Sequence, residues 1–575
     1  MTKVIIVDGY IDEPTCLGVP PYLSPYPRYI SGAITSANPE TTVKYYTIDQ
    51  LRNEPELIKS LNYTDYLIII AGVAVPGKYL SSYPMSLNEV KNICSKISSP
   101  KKILCGPAAK IGYALHGGKK PQKKQDFNNI FDVVVSGDCD IYCFNLFSEN
   151  ESIDDISPSI KRTNAHQIKT FAIEGAKIVT QHPNFPNRLI TEIETYRGCP
   201  RSIVGGCSFC SEPEKGKPDF RPISDIKNEI KSLYENDIRH IRLGNQPCIF
   251  SYLAKDAQSK EFPTPNPTAI YQLFKEIREV APDLKTFHID NANPGVIARH
   301  PEKSKKIAEH IIKYHSSGDV AAFGVESIDP IVIEKNNLKA TEEQVITAIR
   351  ILNELGAKKG KNGLPELLPG LNFLYGLIGE RKGTFSLNFR FLKRLIKEKL
   401  MVRRINIRQV IPLRNTFLEQ KISSKQRKKH HTQLIHFKKA VSQEIDKPLL
   451  QRMIPIGTKL TDVIIEQIKG HIRFGRQLGS YPLLIGIIAP IPIHSKIDVT
   501  IVDHGFRSVT AVPYPLAINT ASLHTLQALP MIGKKRAMRL IRKRPFKSSQ
   551  EITTVFDDPQ VGKQLIELIP LTFRK

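Results

Sequence analysis

Glu194-Thr-Tyr-Arg-Gly-Cys-Pro-Arg-Ser-Ile-Val-Gly-Gly-Cys-Ser-Phe-Cys-Ser-Glu-Pro213 is the most informative stretch of the 575-residue chain. Cys199, Cys207 and Cys210, three of its nine cysteines, fall within twelve residues, on a glycine-rich loop directly after a strand-like run at 189–196. Thiols this close either bind metal or remain an odd trio of free thiols, and the rigid place after a strand favours metal. A structural zinc site closes four ligands, whereas an iron–sulfur cluster held by three cysteines keeps one iron open for substrate. The stretch therefore predicts a catalytic cluster loop; zinc with a distant fourth ligand is the alternative.

Outward from this loop, apolar runs alternate with helical periodicity. Strands are expected at 189–196, 240–243, 286–289, 320–325, 371–377 and 404–410, and helices at 225–234, 270–280, 303–314, 342–355 and 385–399. Such alternation predicts a partial (β/α)6 barrel over 189–421, with its chemistry at the carboxyl ends of the strands. Upstream, runs at 4–7, 43–48, 66–70, 102–104 and 133–135, with a helix at 87–97, predict a doubly wound, Rossmann-like α/β domain over 1–150. Five prolines between Asp8 and Tyr29 predict a non-helical lid over the carboxyl edge of that sheet. A polar connector is expected over 151–188.

Downstream, 422–450 is a basic helical linker carrying Lys425, Arg427, Lys428, Lys429, Lys438 and Lys439, read equally as a solvated helix or a phosphate contact. Short β runs at 463–466, 483–488, 498–502 and 508–512 predict a small β-barrel over 451–518, and 519–575 returns to helix.

Composition bounds the function. With 41% hydrophobic and 24% charged residues the chain is globular, which excludes collagen-like, coiled-coil and mostly disordered classes. It carries 82 Lys and Arg against 56 Asp and Glu, a net charge of +26, which favours a polyanionic partner: nucleic acid first, an anionic membrane surface second. Residues 401–450 contribute +9 of that charge and residues 521–575 contribute +7. The scattered cysteines and the absence of a signal-peptide pattern point to a reducing cytoplasm. The apolar stretch 483–493 is short and holds Pro490 and Pro492, so no membrane span is expected.

Cys207-Ser-Phe-Cys210, with Phe209 before the last cysteine, resembles the second half of the C-x3-C-x2-C signature of the radical S-adenosylmethionine (SAM) enzymes. The seven-residue gap after Cys199 departs from that signature. Further resemblance runs along 189–418. Ile241-Arg-Leu-Gly-Asn-Gln246 resembles the second-strand segment that contacts the SAM methionyl group through Gly244, Asn245 and Gln246. Phe323-Gly-Val-Glu-Ser327 resembles the fourth-strand region in which Glu326 meets the cofactor. Leu374-Tyr-Gly-Leu-Ile-Gly-Glu380 resembles the fifth-strand motif, bearing Gly376, of the methylthiotransferase-like branch. Arg408 is expected to orient SAM or to pair with a neighbouring charge. The resemblance implies a 4Fe-4S cluster on the three cysteines, SAM on its open iron, and an electron donor such as ferredoxin or flavodoxin. It also implies reductive cleavage of SAM to methionine and a 5′-deoxyadenosyl radical, with the protein supplying position and exclusion of water.

Six cysteines remain: Cys16, Cys94, Cys105, Cys139, Cys143 and Cys248. A second cluster of the methylthiotransferase kind is one reading of the first domain, buried structural thiols the other. That domain also resembles the cobalamin-binding modules of radical SAM enzymes, but Asp8-Gly-Tyr-Ile-Asp-Glu13 lacks the lower-ligand histidine; cobalamin bound without it stays open.

The tail indicates the partner class. Leu526-Gln-Ala-Leu-Pro-Met-Ile-Gly-Lys-Lys-Arg-Ala-Met-Arg-Leu-Ile-Arg-Lys-Arg-Pro-Phe-Lys-Ser548 resembles a helix-hairpin-helix, with Met531 where glycine is usual. Gly533, Lys534, Lys535, Arg536 and Arg539 would then offer amides and charge to phosphates; a protein-docking hairpin is the alternative. The preceding small barrel resembles the TRAM, OB-like domain of tRNA methylthiotransferases, and it implies RNA contacts by Arg476, Tyr481 and Arg507. These resemblances lead to a tRNA-modifying radical SAM enzyme. The other readings are a cobalamin-dependent methyltransferase or rearrangement enzyme on a small molecule, and a nucleic-acid-binding protein with a structural cluster.

Overall fold

The computed structural model describes all residues except 13–21, 74–78, 80–81, 114–116, 122–126, 128, 149–151, 424–428 and 574–575. Cys16, Lys425, Arg427 and Lys428 thus lie outside the described residues.

Strands Lys3–Asp8, Thr42–Thr47, Tyr66–Ile70, Lys101–Cys105 and Val133–Val134 form a parallel sheet in which the second strand and the third flank the first, with the fourth and fifth beyond the third. This is a doubly wound strand order whose switch point lies beside the first strand. Val4–Val7 and Leu67–Ile70 are almost wholly buried, as parallel strands covered on both faces require. The helix Leu87–Cys94 starts on a capping box between Ser86 and Glu89.

The expected non-helical lid is corrected by the structure. Tyr22–Leu23 is a short strand that adds to the edge of the catalytic barrel beside Ile190 and Thr191. A helix then runs over Pro25–Ala37, with Pro25 in its first turn, where a missing N–H costs nothing because that N–H has no intrahelical acceptor. The stretch read as connector also contains helix Lys169–Glu174 and a 3-10 turn Gly175–Gln181. Gly32 and Gly175 let these segments touch, because a Cβ on Gly32 would stand 1.9 Å from the Phe171 carbonyl oxygen. Arg28 and Arg221 both pair with Glu229 at 2.5 Å, all three side chains fully buried, and this clamps the Pro25–Ala37 helix onto the barrel.

The barrel has six parallel strands: Ile190–Glu194, His240–Gly244, Thr286–Ile289 continuing through Asn291–Ala292, Asp319–Glu326, Leu367–Tyr375 and Arg404–Gln409. Helices Ile223–Glu235, Pro267–Val280, Pro301–Tyr314, Glu342–Gly356 and Lys382–Lys397 cover them. Helices His431–Val441 and Lys447–Met453 follow, with Phe437 packed on Tyr375 and Phe385.

Lys459–Lys469, Ile472–Arg476, Leu484–Ile487, Lys496–His504 and Ser508–Pro513 close into a five-stranded barrel, the third strand pairing in parallel with the fifth. The strand Ile472–Arg476, absent from the expected runs, carries two arginines that mask its β pattern. This barrel docks on the catalytic one: Thr286 Oγ1 donates to the Leu478 carbonyl at 2.9 Å and Tyr481 Oη to Asp290 Oδ1 at 2.8 Å. Helices Leu523–Gln527, Lys534–Lys543, Ser549–Thr553 and Pro559–Leu568 complete the tail, their apolar residues packed on Val502 and Val512. Among the described residues no helix is long and apolar enough to cross a membrane.

Candidate active site

The loop after the first barrel strand is shaped by glycine. Gly198 and Gly206 have φ of 82° and 68°, and a Cβ on Gly206 would stand 2.2 Å from Pro213 Cγ. The long gap between Cys199 and Cys207 is taken up by a 3-10 turn, Pro200–Val204, ended by left-handed Gly205. Cys199, Cys207 and Cys210 consequently share the wall of one cavity of about 310 Å³. Among the described residues no three ligating side chains converge on a point that would hold a single ion.

Two cations face the thiols. Arg201, buried, donates from Nη1 to Cys207 Sγ at 2.9 Å and is held by Glu261 and by Asn337 Oδ1. Lys339 Nζ lies 3.9 Å from Glu326 Oε1 and lines the same cavity. Burial pushes Cys199 up to about 11 and Cys210 up to about 12, and it raises Cys207, against which Lys339 and Arg201 act. Ligation must therefore release protons, and Arg201 and Lys339 reduce the cost of holding negative sulfur there. The sequence reading missed both residues; the Cys199-Pro-Arg201 run was the signal for one of them.

The opposite wall comes from the second, third, fourth and fifth strands. Asn245, in a left-handed conformation, donates to Glu194 Oε2 at 2.8 Å. Gln246 and Glu326 are both buried, and Gln246 Oε1 and Glu326 Oε2 have no hydrogen-bond partner. Both residues line the cavity. Two orphaned acceptors facing three thiols fit a ligand that brings donors, such as the amino group of an amino acid. Burial raises the Glu326 carboxyl, opposed by Lys339 and Arg201. Asn291, Asn293 and Asn372, not singled out from sequence, add polar groups to this wall.

Other expected residues stand elsewhere. Phe209 packs with Val332, Leu377 and Leu418 rather than in the cavity wall. Gly244 lies outside that wall; a Cβ there would stand 2.2 Å from Glu192 Oε1. Gly376, at φ 89°, donates its N–H to Glu380 Oε2 at 2.6 Å and shapes the turn after the fifth strand. Arg408 faces Tyr481, Asp290 and Tyr79 instead of the cavity. Arg476 is corrected: it is buried and ion-paired to Glu466 at 2.9 Å, so it offers nothing at a surface. Tyr481 is corrected likewise, its hydroxyl spent on Asp290. Arg507 is half exposed, yet tied to the Ile405 carbonyl and to Asp446.

In the tail, Gly533 caps helix Lys534–Lys543, and Lys534, Lys535 and Arg539 are exposed. Arg536 folds back to the Met531 carbonyl at 2.7 Å, and Arg539 pairs with Asp557 at 2.6 Å. Met531 takes φ 64°, the conformation for which glycine is usual.

Cys94, Cys105, Cys139, Cys143 and Cys248 are free and buried. Cys139 and Cys143 sulfurs stand 3.8 Å apart within the N-terminal core, and Cys248 lines the cavity while its sulfur accepts from the Asn293 N–H. Asp8, at the carboxyl end of the first strand, is taken up by the Tyr10 N–H and the Tyr45 hydroxyl.

Residues 193–386 match the radical SAM superfamily model. The chain is 48% identical over 512 residues to an uncharacterized protein of Methanocaldococcus jannaschii, covering 88% of this chain and 92% of that protein. It is 22% identical over 327 residues to the ribosomal protein uS12 methylthiotransferase RimO of Carboxydothermus hydrogenoformans, covering 55% of this chain and 66% of RimO. Among solved structures it is similar to the cobalamin-dependent SAM radical enzyme OxsB, with a TM-score of 0.47 and 13% identity over 76% of this chain and 56% of OxsB.

Proposed function

Because the chain belongs to the radical SAM superfamily, which uses a 4Fe-4S cluster and SAM, we propose that it is an RNA-modifying enzyme acting on tRNA. When bound, the cluster supplies the electron that cleaves SAM into methionine and a 5′-deoxyadenosyl radical. The protein's part is to hold and enclose. Cys199, Cys207 and Cys210 would hold the cluster from one loop, and Arg201, beside Cys207, would offset its negative charge. Gln246 and Glu326 would accept from the amino group of SAM, and Asn291 and Asn293 line the same wall.

The observation that carries the tRNA reading is the charged tail. Helix Lys534–Lys543 buries Ala537 and Leu540 and exposes Lys534, Lys535, Arg539, Arg542 and Lys543. Its ten residues follow the N-cap Gly533, where a Cβ would meet nothing within 4 Å, so a phosphate has room to approach the free amides. The five-stranded barrel beside it closes in a Greek-key manner of the kind that oligonucleotide-binding folds use. RimO, by its name, methylthiolates a ribosomal protein, so a ribosomal protein is the competing substrate class.

Two measurements decide. Mass spectrometry of tRNA nucleosides from a strain lacking the gene is expected to show one modification missing; an unchanged nucleoside profile sinks the tRNA assignment. The triple variant Lys534→Glu, Lys535→Glu, Arg542→Glu is expected to weaken binding of a bulk tRNA pool by about 10- to 100-fold and to flatten its salt dependence. Unaltered affinity would remove the tail from the interface.

A further inference from the structure

Arg408 stands one residue before the end of the sixth barrel strand, Arg404–Gln409. Strand alternation puts Arg404, Asn406 and Arg408 on one face. Asn406 Nδ2 donates to Asn372 Oδ1 at 2.8 Å, and Asn372 belongs to the wall of the cysteine cavity, so this face looks into the barrel. In the ladder Asn406 lies beside Asn372 and Arg408 beside Leu374. Arg408 is therefore two residues, about 6–7 Å, beyond the cavity wall toward the carboxyl ends of the strands.

The guanidinium there faces Asp290 but closes no ion pair with it. Arg28, Arg201, Arg221 and Arg242 are each held by a glutamate. Arg408 makes no hydrogen bond, ion pair or ring contact among the described residues. Of the groups that face it, Asp290 already accepts the Tyr481 hydroxyl, Tyr481 and Tyr79 are neutral phenols, and Arg404 adds like charge. Burial pulls its pKa down accordingly. The side chain is partly buried, and its unspent donors stay within reach of an acceptor that a ligand brings. Its planar five-donor fork matches the oxygens of an oxyanion.

We propose that Arg408 is the anchor of a substrate subsite for a phosphate group, adjoining the cysteine cavity on the inner face of the sixth strand. The polar end of SAM is served by the cavity's own groups, Gln246, Glu326 and Lys339, so the anion at Arg408 belongs to the second ligand. The choice of phosphate over carboxylate rests on the nucleic-acid reading above; the anion subsite does not.

The test uses the full-length, anaerobically reconstituted protein with three probes: inorganic pyrophosphate, a bulk tRNA pool over a range of salt, and SAM. Arg408→Gln is expected to lower pyrophosphate affinity at least about tenfold while SAM affinity stays within about twofold. If Arg408→Gln also weakens tRNA binding and lowers its salt slope by about one, the phosphate is a backbone phosphate. If tRNA binding is unchanged while pyrophosphate binding is lost, the subsite stands and takes a small phosphorylated substrate. The proposal is overturned if the wild type binds no pyrophosphate, if Arg408→Gln binds it normally, or if SAM affinity falls instead. A wild type that binds pyrophosphate but no tRNA would refute the nucleic-acid reading and leave the subsite intact.

Discussion

Cys207→Ala is expected to emerge from anaerobic reconstitution with almost none of the iron, and none of the visible charge-transfer absorbance, of the wild type. The reason lies in how few ligands the site has. Three thiols on a single loop face one cavity, and Cys207 is the one that Arg201 contacts at 2.9 Å. With three cysteines the cluster already leaves one iron without a protein ligand, so removing another leaves no stable coordination. Cys248→Ala is the matched control. Cys248 lines the same cavity from outside the cysteine loop, its sulfur taken by the Asn293 N–H, and that variant should load iron normally. Full iron in Cys207→Ala, or equal loss in both variants, would overturn the ligand assignment.

Glu229→Gln is expected to loosen the Pro25–Ala37 helix from the catalytic barrel. Glu229 neutralises two arginines, Arg28 and Arg221, and none of the three side chains is exposed. Arg221 also donates to the Glu194 carbonyl at 2.7 Å, just before the cluster loop. Removing the one acid leaves two buried cations facing each other, a change that costs about 3–5 kcal/mol. Hydrogen exchange of 25–37 and 223–235, followed with mass spectrometry, measures it as lost protection. A loss below about 1 kcal/mol would place the cluster of charges in a far more solvated setting than the structure shows.

Much of the architecture was legible because its strands are buried on both faces. Short β-branched runs such as Leu67–Ile70 and Val4–Val7, in alternation with helical stretches, fit central strands of a covered parallel sheet. The short strand Ile472–Arg476 was not legible, since Arg473 and Arg476 break its apolar pattern and only the fold shows that Glu466 neutralises Arg476. Pro25 read as a helix breaker because sequence does not reveal whether a proline falls in a first turn or an interior one.

The candidate site divides in the same way. Cysteine spacing and the glycines of the loop are local, so the sequence exposed them. Gln246 and Glu326 stand at motif positions, but their orphaned oxygens became visible only once two walls met. Arg201 sits in the cysteine loop and could have been read there, whereas Lys339 comes from a separate segment and acts through proximity to Cys207, for which the sequence carries little signal. Arg476 and Tyr481 show the converse: residue types that suit RNA contacts were spent on interior pairs, a choice made by domain docking.

The central claim is that this cavity assembles a cluster that cleaves SAM reductively. The most direct measurement incubates the reconstituted, chemically reduced protein with SAM and quantifies 5′-deoxyadenosine by liquid chromatography. Wild type is predicted to release 5′-deoxyadenosine and methionine in equal amounts, and Cys207→Ala none. A wild-type protein with its full iron complement that leaves SAM intact would contradict the account and make the cluster a structural one.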